Sequence, residues 1–373
     1  MIYADNAATT KLDIDAFEAM KPYLIDDYSN PSQPYSFSRN SKKAIRDARA
    51  VIAKCINASP DEIFFTSGGT ESDNWAIKGA AFAAEKNRSI ITSSFEHHAV
   101  LRSCYSLEEL GYPVAYLPVQ TDGTVSEVTL NGFISDNTNL VSIMYANNEL
   151  GTIQPIKKLC EITHSHGAYF HTDAVQAVGH VPIDVKNLDI DLLSASAHKF
   201  NGPKGIGFLY IKKSTQIHQY LDGGSQEFSL RAGTENIASI VGMATALKNN
   251  CDMLDKNAAH VNAISQIFLS RLNVDYHING NTDSQLPGLL SIAFDGASGE
   301  SLLHLLDLKG ICVSTGSACN SHETQISHVL TAINLPDNLA RGTIRVSLGK
   351  DNTSEEAVFL SSSLNHVILN SQK

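Results

Sequence analysis

Apolar residues recur along this chain in two periods, and the alternation between them predicts the fold. Across residues 41–56 they fall at Ala44/Ile45, Ala48, Val51/Ile52 and Cys55/Ile56, the spacing of a helix with one apolar face. Residues 62–66 form a short buried-strand pattern, which Ser67, Gly68 and Gly69 break. Helical character resumes over residues 70–78, with Thr70 as the expected N-cap and Asp73 three positions on. Further strands are expected at 89–92, 114–117, 140–145, 168–171, 191–194 and 205–211, with helical stretches between most of them. Such alternation favours a mainly parallel α/β sheet with helices on both faces. Near residue 250 the texture changes. One long helical segment over 236–267 leads to strands near 289–294 and 344–347, which reads as a smaller C-terminal domain. No internal repeat, low-complexity tract or long linker interrupts the pattern.

At 373 residues the chain has length for about two or three domains of roughly 100–200 residues each. Its 43% hydrophobic and 18% charged content is that of a globular protein with a well-buried core. With 28 basic against 39 acidic residues the net charge is −11, which argues against bulk binding to nucleic acid or to an anionic membrane. No window approaches the roughly 18 uninterrupted apolar residues of a membrane span. Met1 to Asn6 lack the basic-then-apolar layout of a signal peptide. The six cysteines contain no CxxC pair and are too sparse for a disulfide scaffold or a zinc ribbon. A soluble, cytoplasmic protein is the expectation.

Three places carry chemistry. In Leu192-Leu193-Ser194-Ala195-Ser196-Ala197-His198-Lys199 an apolar strand ends in small residues, which let a bulky planar group approach the backbone. A lysine at a buried strand end has its ammonium desolvated, which lowers its pKa and makes it a Schiff-base nucleophile. Lys204, just past the Gly202-Pro203 turn, fits a surface lysine better. Asp173, in Phe170-His171-Thr172-Asp173, also follows a buried strand. Such a carboxylate is either a helix cap or the group that keeps a pyridinium nitrogen protonated. Finally, Phe65-Thr66-Ser67-Gly68-Gly69-Thr70-Glu71 is a strand, a Gly-rich turn and a helix start, the layout of a phosphate cradle.

A lysine, a strand-end aspartate and a phosphate cradle are the parts that pyridoxal 5'-phosphate (PLP) requires. The chain resembles the class V aminotransferase-like PLP enzymes and, more closely, the NifS/IscS-type cysteine desulfurases. The resemblance runs from Asp5-Asn6-Ala7-Ala8-Thr9-Thr10 to Arg345-Val346-Ser347-Leu348-Gly349. Between them lie Thr66-Ser67-Gly68-Gly69-Thr70-Glu71-Ser72-Asp73-Asn74, Glu96-His97, Asn147-Asn148-Glu149-Leu150-Gly151, Asp173 with Gln176, and Ser196-Ala197-His198-Lys199. Arg231-Ala232-Gly233-Thr234 and Ser317-Ala318-Cys319 complete the set. It implies an aspartate-aminotransferase-like, fold type I architecture. A large PLP-binding domain would span 13–250, and a small α/β domain would combine 1–12 with 251–373.

By the same resemblance, Lys199 carries the cofactor and later moves the substrate Cα proton. Asp173 holds the ring nitrogen, and Gln176 and Asn148 sit near the ring hydroxyl and the substrate. His97 stacks on the ring and takes part in proton transfer. Gly69, Thr70, Ser196 and His198 hold the phosphate, and Thr234 reaches the phosphate of a partner subunit, which implies a homodimer with shared active sites. Arg345 grips the substrate carboxylate, a task suited to a planar bidentate donor.

Cys55, Cys104, Cys160 and Cys251 lie in helical stretches and Cys312 in Ile311-Cys312-Val313, so all five read as small hydrophobes in or near a core. Cys319 differs. Its surroundings, Ser314-Thr315-Gly316-Ser317-Ala318-Cys319-Asn320-Ser321-His322, are small and polar, which predicts an exposed loop. In the resembled family this is the persulfide-forming cysteine, on the longer of two loop types. The implied reaction turns L-cysteine into L-alanine and leaves its sulfur on Cys319, for an acceptor protein of iron–sulfur assembly or tRNA thiolation.

Other readings remain. A selenocysteine lyase or another class V aminotransferase shares the cofactor chemistry, although the Cys319 loop argues against the aminotransferase. His164, His166, His171 and Asp173 could in principle bind zinc or iron, but solvated or capping histidines fit their placement better. Arg39, Lys42, Lys43, Arg46 and Arg49 could dock a polyanion, yet Asp47 interleaves and a solvated helix face fits better. Two departures from the family pattern stand out. Tyr35 and Ser38 occupy positions where the family commonly has His and Gly. About two dozen residues follow Gly349, without the extension that docks the scaffold protein in longer relatives.

Overall fold

The structure, a computed structural model, describes residues 1–315 and 326–371. Its larger sheet has seven strands in the order Ile63–Thr66, Gly207–Ile211, Leu192–Ser196, Tyr169–Asp173, Thr138–Ser142, Ser89–Ser93 and Val114–Leu117. Gly207–Ile211 runs antiparallel to both neighbours, and the remaining pairings are parallel. Leu192–Ser196 and Tyr169–Asp173 are buried nearly throughout; the first is the continuous apolar and small run expected of a strand covered on both faces, and the second buries His171, Thr172 and Asp173 as well. One face packs Phe170, Leu193 and Phe208 under helices Arg39–Cys55 and Ile237–Asp252. The opposite face packs Leu192, Leu209 and Ile90 against Trp75, Ile77 and Val100.

A second apolar cluster surrounds the antiparallel sheet of Thr343–Ser347, Leu289–Ala293 and His277–Asn279. Its helices include Leu254–Ser270, Gly299–Asp307 and Ser354–Ser371. The chain's start belongs here: Ile2–Tyr3 pairs in parallel with Ile311–Cys312.

Several boundaries differ from the sequence expectation. The helical segment over 236–267 is two helices, Ile237–Asp252 and Leu254–Ser270, broken at Met253. Thr70 is not an N-cap. The helix Gly69–Ala83 begins one residue earlier, with Gly68 at the cap and no side-chain cap bond. Glu71 instead reaches back to accept from the Ser67 backbone N–H at 2.8 Å. The strands expected at 168–171 and 191–194 run two residues further, to Asp173 and Ser196, while the one expected at 140–145 ends at Ser142.

Arg49 departs from the solvated face expected for its helix. It is buried and forks onto Glu227, with Nη1–Oε2 and Nη2–Oε1 contacts of 2.8 and 2.6 Å. It also donates to the carbonyl of Ile63 and lies 4.4 Å above the Phe65 ring. Glu227 accepts as well from the Phe65 backbone N–H at 2.9 Å. This fork holds three successive non-glycine residues in the left-handed region, Glu227, Phe228 and Ser229, at φ of 43, 57 and 66°. Such conformations persist only where surrounding contacts over-determine them. Replacing Arg49 by alanine strands a buried carboxylate, so Arg49→Ala is expected to cost about 3–5 kcal/mol of folding stability. The shift in chemical-denaturation midpoint checks it; a change below about 1 kcal/mol would place the fork among weak surface pairs.

Candidate active site

A cavity of about 430 Å³ opens where the carboxyl ends of the sheet strands meet the N-terminal segment and the second cluster. From the sheet side it is lined by Gly69, Thr70, Asp73, Asp173, Gln176, Ser196, His198 and Lys199. His97, Asn148 and Met144 close one flank, and Asp5, Ser314, Thr315 and Arg345 face them. Ligand sites in open α/β sheets lie outside the carboxyl ends of the strands, and this one obeys that rule.

Each side chain owes its place to local structure. Lys199 ends a short turn, Ala197–Lys199, directly after the strand Leu192–Ser196. Its Nζ donates to the carbonyls of Ala7 at 2.5 Å and Ala8 at 2.9 Å. Asp173 is the last residue of its strand, buried, and accepts from the Val175 N–H at 2.9 Å. Gln176 donates from Nε2 to the carbonyl of Ala7 at 2.9 Å. His97 caps the helix His98–Glu109, and its Nδ1 accepts from the Ala99 N–H at 3.2 Å. In the neutral ring the proton must therefore sit on Nε2. Arg345 is buried, gives one nitrogen to Asp5 at 2.7 Å and another to the Asn148 carbonyl at 2.9 Å, and leaves Nε without a partner.

The cradle is built by close approach. A Cβ on Gly69 would meet Val175 Cγ2 at 2.6 Å, and one on Gly207 would meet the Ala195 carbonyl oxygen at 2.4 Å. These contacts set the first turn of Gly69–Ala83 above Ser196, where backbone N–H groups at the positive end of a 15-residue helix favour an anion. His198 lies beside it, 3.2 Å from Thr9 Oγ1.

This donor set fits PLP. Gly69, Thr70, Ser196 and His198 could take its phosphate, Asp173 its ring nitrogen, His97 a ring face and Lys199 its aldehyde carbon. Thr234 does not line the cavity and is exposed, although its loop is tied to the cradle by Arg231–Glu71 contacts of 2.8 and 3.1 Å. Cys319 lies outside the described residues. Of the chain flanking that segment, Ser314 and Thr315 line the cavity. On the other side, His328 Nε2 donates to the Glu96 carbonyl oxygen at 2.9 Å, so Nε2 carries a proton.

The other five cysteines pack as expected, with one addition. Cys104 and Cys160 are buried, Cys312 is half-buried, and half-buried Cys55 and Cys251 are hydrogen-bonded thiol to thiol. The histidines of the metal alternative are dispersed. His164 pairs with Asp189 and Asp191, His166 with Asp136, and His171 is enclosed by Ser142 and Ser194. Asp73 and Asp5 line the cavity, although the sequence assigned neither a role there. Asp73 had a signal: it sits among Trp75, Ala76 and Ile77, a charge inside an otherwise apolar helical stretch. Asp5 stood only as the start of a motif, because its partner Arg345 is far away along the chain.

Burial sets the protonation pattern. It pushes Glu96 up to about 8 and Glu149 up to about 7, and pushes His171 down to about 3 and His198 to about 4. His97 is lowered by burial as well, with Asp173 opposing. Glu96 has an ordinary value of 4.5 and a folded value of about 8, so its contribution to stability is full below 4.5 and is lost as pH rises through about 8. His171 works on the acid side. Its ordinary value is 6.5, and its contribution is present above that and lost as pH falls towards about 3. Cofactor-free protein should thus lose stability in both directions, and Glu96→Gln should flatten only the alkaline limb. Denaturation midpoints at stepped pH test this; an unchanged alkaline limb would show that Glu96 holds no proton in the folded chain.

Comparisons with known proteins agree with this geometry. The sequence matches the family described as Aminotransferase class-V over residues 2–360. It is 48% identical over 371 residues to the cysteine desulfurase IscS of Dictyoglomus turgidum, covering 98% of this chain and 94% of that one. With the cysteine desulfurase IscS of Methanosarcina thermophila the identity is 50% over 358 residues, covering 95% and 89%. Among solved structures, a NifS-like protein superposes with a TM-score of 0.94 at 38% identity over 99% of both chains. SspA in complex with cysteine gives 0.84 at 36% identity, over 95% of this chain and 100% of that one. A lysine, an aspartate and a helix-start cradle gathered at strand ends, with a match across nearly the whole chain, leave one assignment: this protein belongs to the class-V aminotransferase family.

Proposed function

We propose that this protein is a PLP-dependent cysteine desulfurase that converts L-cysteine to L-alanine and takes the sulfur onto Cys319 as a persulfide. The observation that carries it is the convergence of Lys199, Asp173, His97 and Arg345 on one cavity beside the chain that leads into the Cys319 segment. The IscS naming of the relatives supports the choice of substrate.

Bound PLP supplies an electron sink, which lets the Cα–H and C–S bonds of the amino acid break at neutral pH. This chain's residues do the rest. Lys199 Nζ, already presented to the cavity, takes and returns the proton at Cα. Arg345, held by Asp5 and the Asn148 carbonyl, binds the substrate carboxylate. His97 would lie over the ring with its Nε2 proton available, while Gln176 and Asn148 would orient ring hydroxyl and substrate. The Cys319 thiolate attacks the substrate sulfur; an S–S bond forms, the C–S electron pair stays with carbon, and that carbon takes a proton to become the alanine methyl.

Thr234 completes the phosphate site of a second copy in a homodimer with shared active sites. Its exposure outside its own cavity supports that role, as does the Arg231–Glu71 tether. The large unit spans 13–250, and the small one combines 1–12 with 251–373. Sulfur passes to an acceptor protein, an iron–sulfur scaffold or a tRNA-thiolation enzyme, without direct contact with nucleic acid, in the cytoplasm. Among the described residues no helix is long and apolar enough to cross a membrane.

Incubation of the purified protein with PLP and L-cysteine should yield L-alanine and a protein persulfide. Lys199→Ala should lower alanine formation by about 10²–10⁴-fold. Cys319→Ser should abolish the persulfide and keep the visible absorbance of the bound cofactor; continued desulfuration by the serine variant would remove Cys319 from the mechanism.

A further inference from the structure

Beside Asp173 lies a second carboxyl group that the reaction does not use. Asp73 stands on the helix Gly69–Ala83 and is 1% exposed. Ligand atoms of Asp73, Asp173 and His97 all fall within 4.8 Å of one another. Asp73 Oδ1 has no hydrogen-bond partner; the nearest ring nitrogen, His171 Nε2, is 3.7 Å away. A buried acceptor left without a donor costs roughly 1–3 kcal/mol. A proton on that oxygen removes its charge, and with it the far larger cost of burying an unpaired anion.

The hydrogen bonds around Asp73 all run one way. Ser194 donates its hydroxyl proton to the Asp73 carboxyl. Having spent that proton, Ser194 Oγ can only accept from His171 Nε2 at 3.0 Å. The buried imidazole is neutral, so Nδ1 is bare and accepts from the Ser142 hydroxyl at 2.8 Å. Ser142, His171 and Ser194 thus form a directed chain that ends on Asp73.

Two carboxylates this close and this buried do not both ionise; they share a proton. The neighbours decide where it sits. Asp173 faces the His97 ring and the Lys199 ammonium and accepts the Val175 N–H, all of which favour its anion. Asp73 faces the Asp173 carboxylate, and a single hydroxyl donor, Ser194, opposes that repulsion. We propose that Asp73 is a positioning residue that holds the one proton of the Asp73–Asp173 pair, so that Asp173 stays anionic towards the cofactor's ring nitrogen, with Ser142, His171 and Ser194 fixing its orientation. The proposal rests on the PLP reading above and deepens it.

Infrared spectra of cofactor-free protein, with isotopic labelling of the aspartate side-chain carbons, test the proton directly. Wild type should show a labelled carboxylic-acid C=O band, well above the carboxylate region, and Asp73→Asn should lose it. A parallel titration of apoprotein with PLP, followed by its visible absorbance, tests the positioning. Asp73→Asn, neutral and of the same shape, should bind within about threefold of wild type. Asp73→Ala, which removes the group facing Asp173 and strands the Ser194 donor, should bind about tenfold more weakly or worse. Persistence of the band in Asp73→Asn would overturn the proposal, as would a loss of affinity in the asparagine variant equal to that of alanine. If wild type bound no PLP, the functional reading would fall, and the infrared band would still decide where the proton lies.

Discussion

The site depends on how closely two backbones approach. Gly207 starts the antiparallel strand, and its Cα hydrogen faces the Ala195 carbonyl oxygen and Gly68 Cα at distances where a methyl group would sit only 2.4 and 2.7 Å away. Any side chain there would push the turn at Gly68 off the strand Leu192–Ser196. The helix Gly69–Ala83 would then no longer begin above Ser196, and the cradle would open. Asp73 is carried on the same helix, one turn from its start, so its position beside Asp173 follows from the same contact. A backbone constraint thus places both the anion site and the buried acid.

Electrostatics then follows from exclusion of water. Asp73, Glu96, Glu149 and Asp173 are all buried, and burial is the leading cause of the upward shift of each. Opposing it are specific partners: Ser93 and the Met144 N–H for Glu96, Ser327 and Arg345 for Glu149, His97 and Lys199 for Asp173. Among these, Asp173 is the carboxyl that the Lys199 ammonium faces from within the cavity. The fold concentrates acid around one anion, which keeps the charge available where the strands end and costs stability that the apolar sheet faces must offset.

Much of this was legible in the sequence, for reasons that differ by residue. Lys199, Asp173 and the Gly68-Gly69 turn announce themselves because each follows a buried strand, and strand ends are read from local pattern alone. The two clusters on either side of the sheet were visible as alternating strand and helix. Boundaries were harder. Met253 carries no helix-breaking signal, so the division of 236–267 into two helices is decided by packing. Arg49 looked solvated because Arg39, Lys42, Lys43 and Arg46 on the same helix are basic; only the distant Glu227 makes its burial tolerable, and pairings across that separation leave no local trace. Asp73 is the reverse case. Its apolar surroundings were on view, and its partner at Ser194 was not.

Long separation also explains how the two clusters are joined. The first residues fold with the last: Asn6 binds the Ser347 carbonyl through its backbone N–H at 3.1 Å and its side chain at 2.9 Å, and the Ala7 N–H binds Ser347 Oγ at 2.9 Å. One residue further, the carbonyls of Ala7 and Ala8 receive Lys199 and Gln176 from the large sheet. Asp5 meanwhile anchors Arg345. A stretch of four residues, Asp5 to Ala8, therefore touches the lysine of one unit and the arginine of the other. Any displacement of this segment moves both, so the spacing between the group that handles the Cα proton and the group that binds the carboxylate is set by a single piece of backbone. A geometry that must be held to a fraction of an ångström is most economically held this way, through one shared support in place of two independent ones.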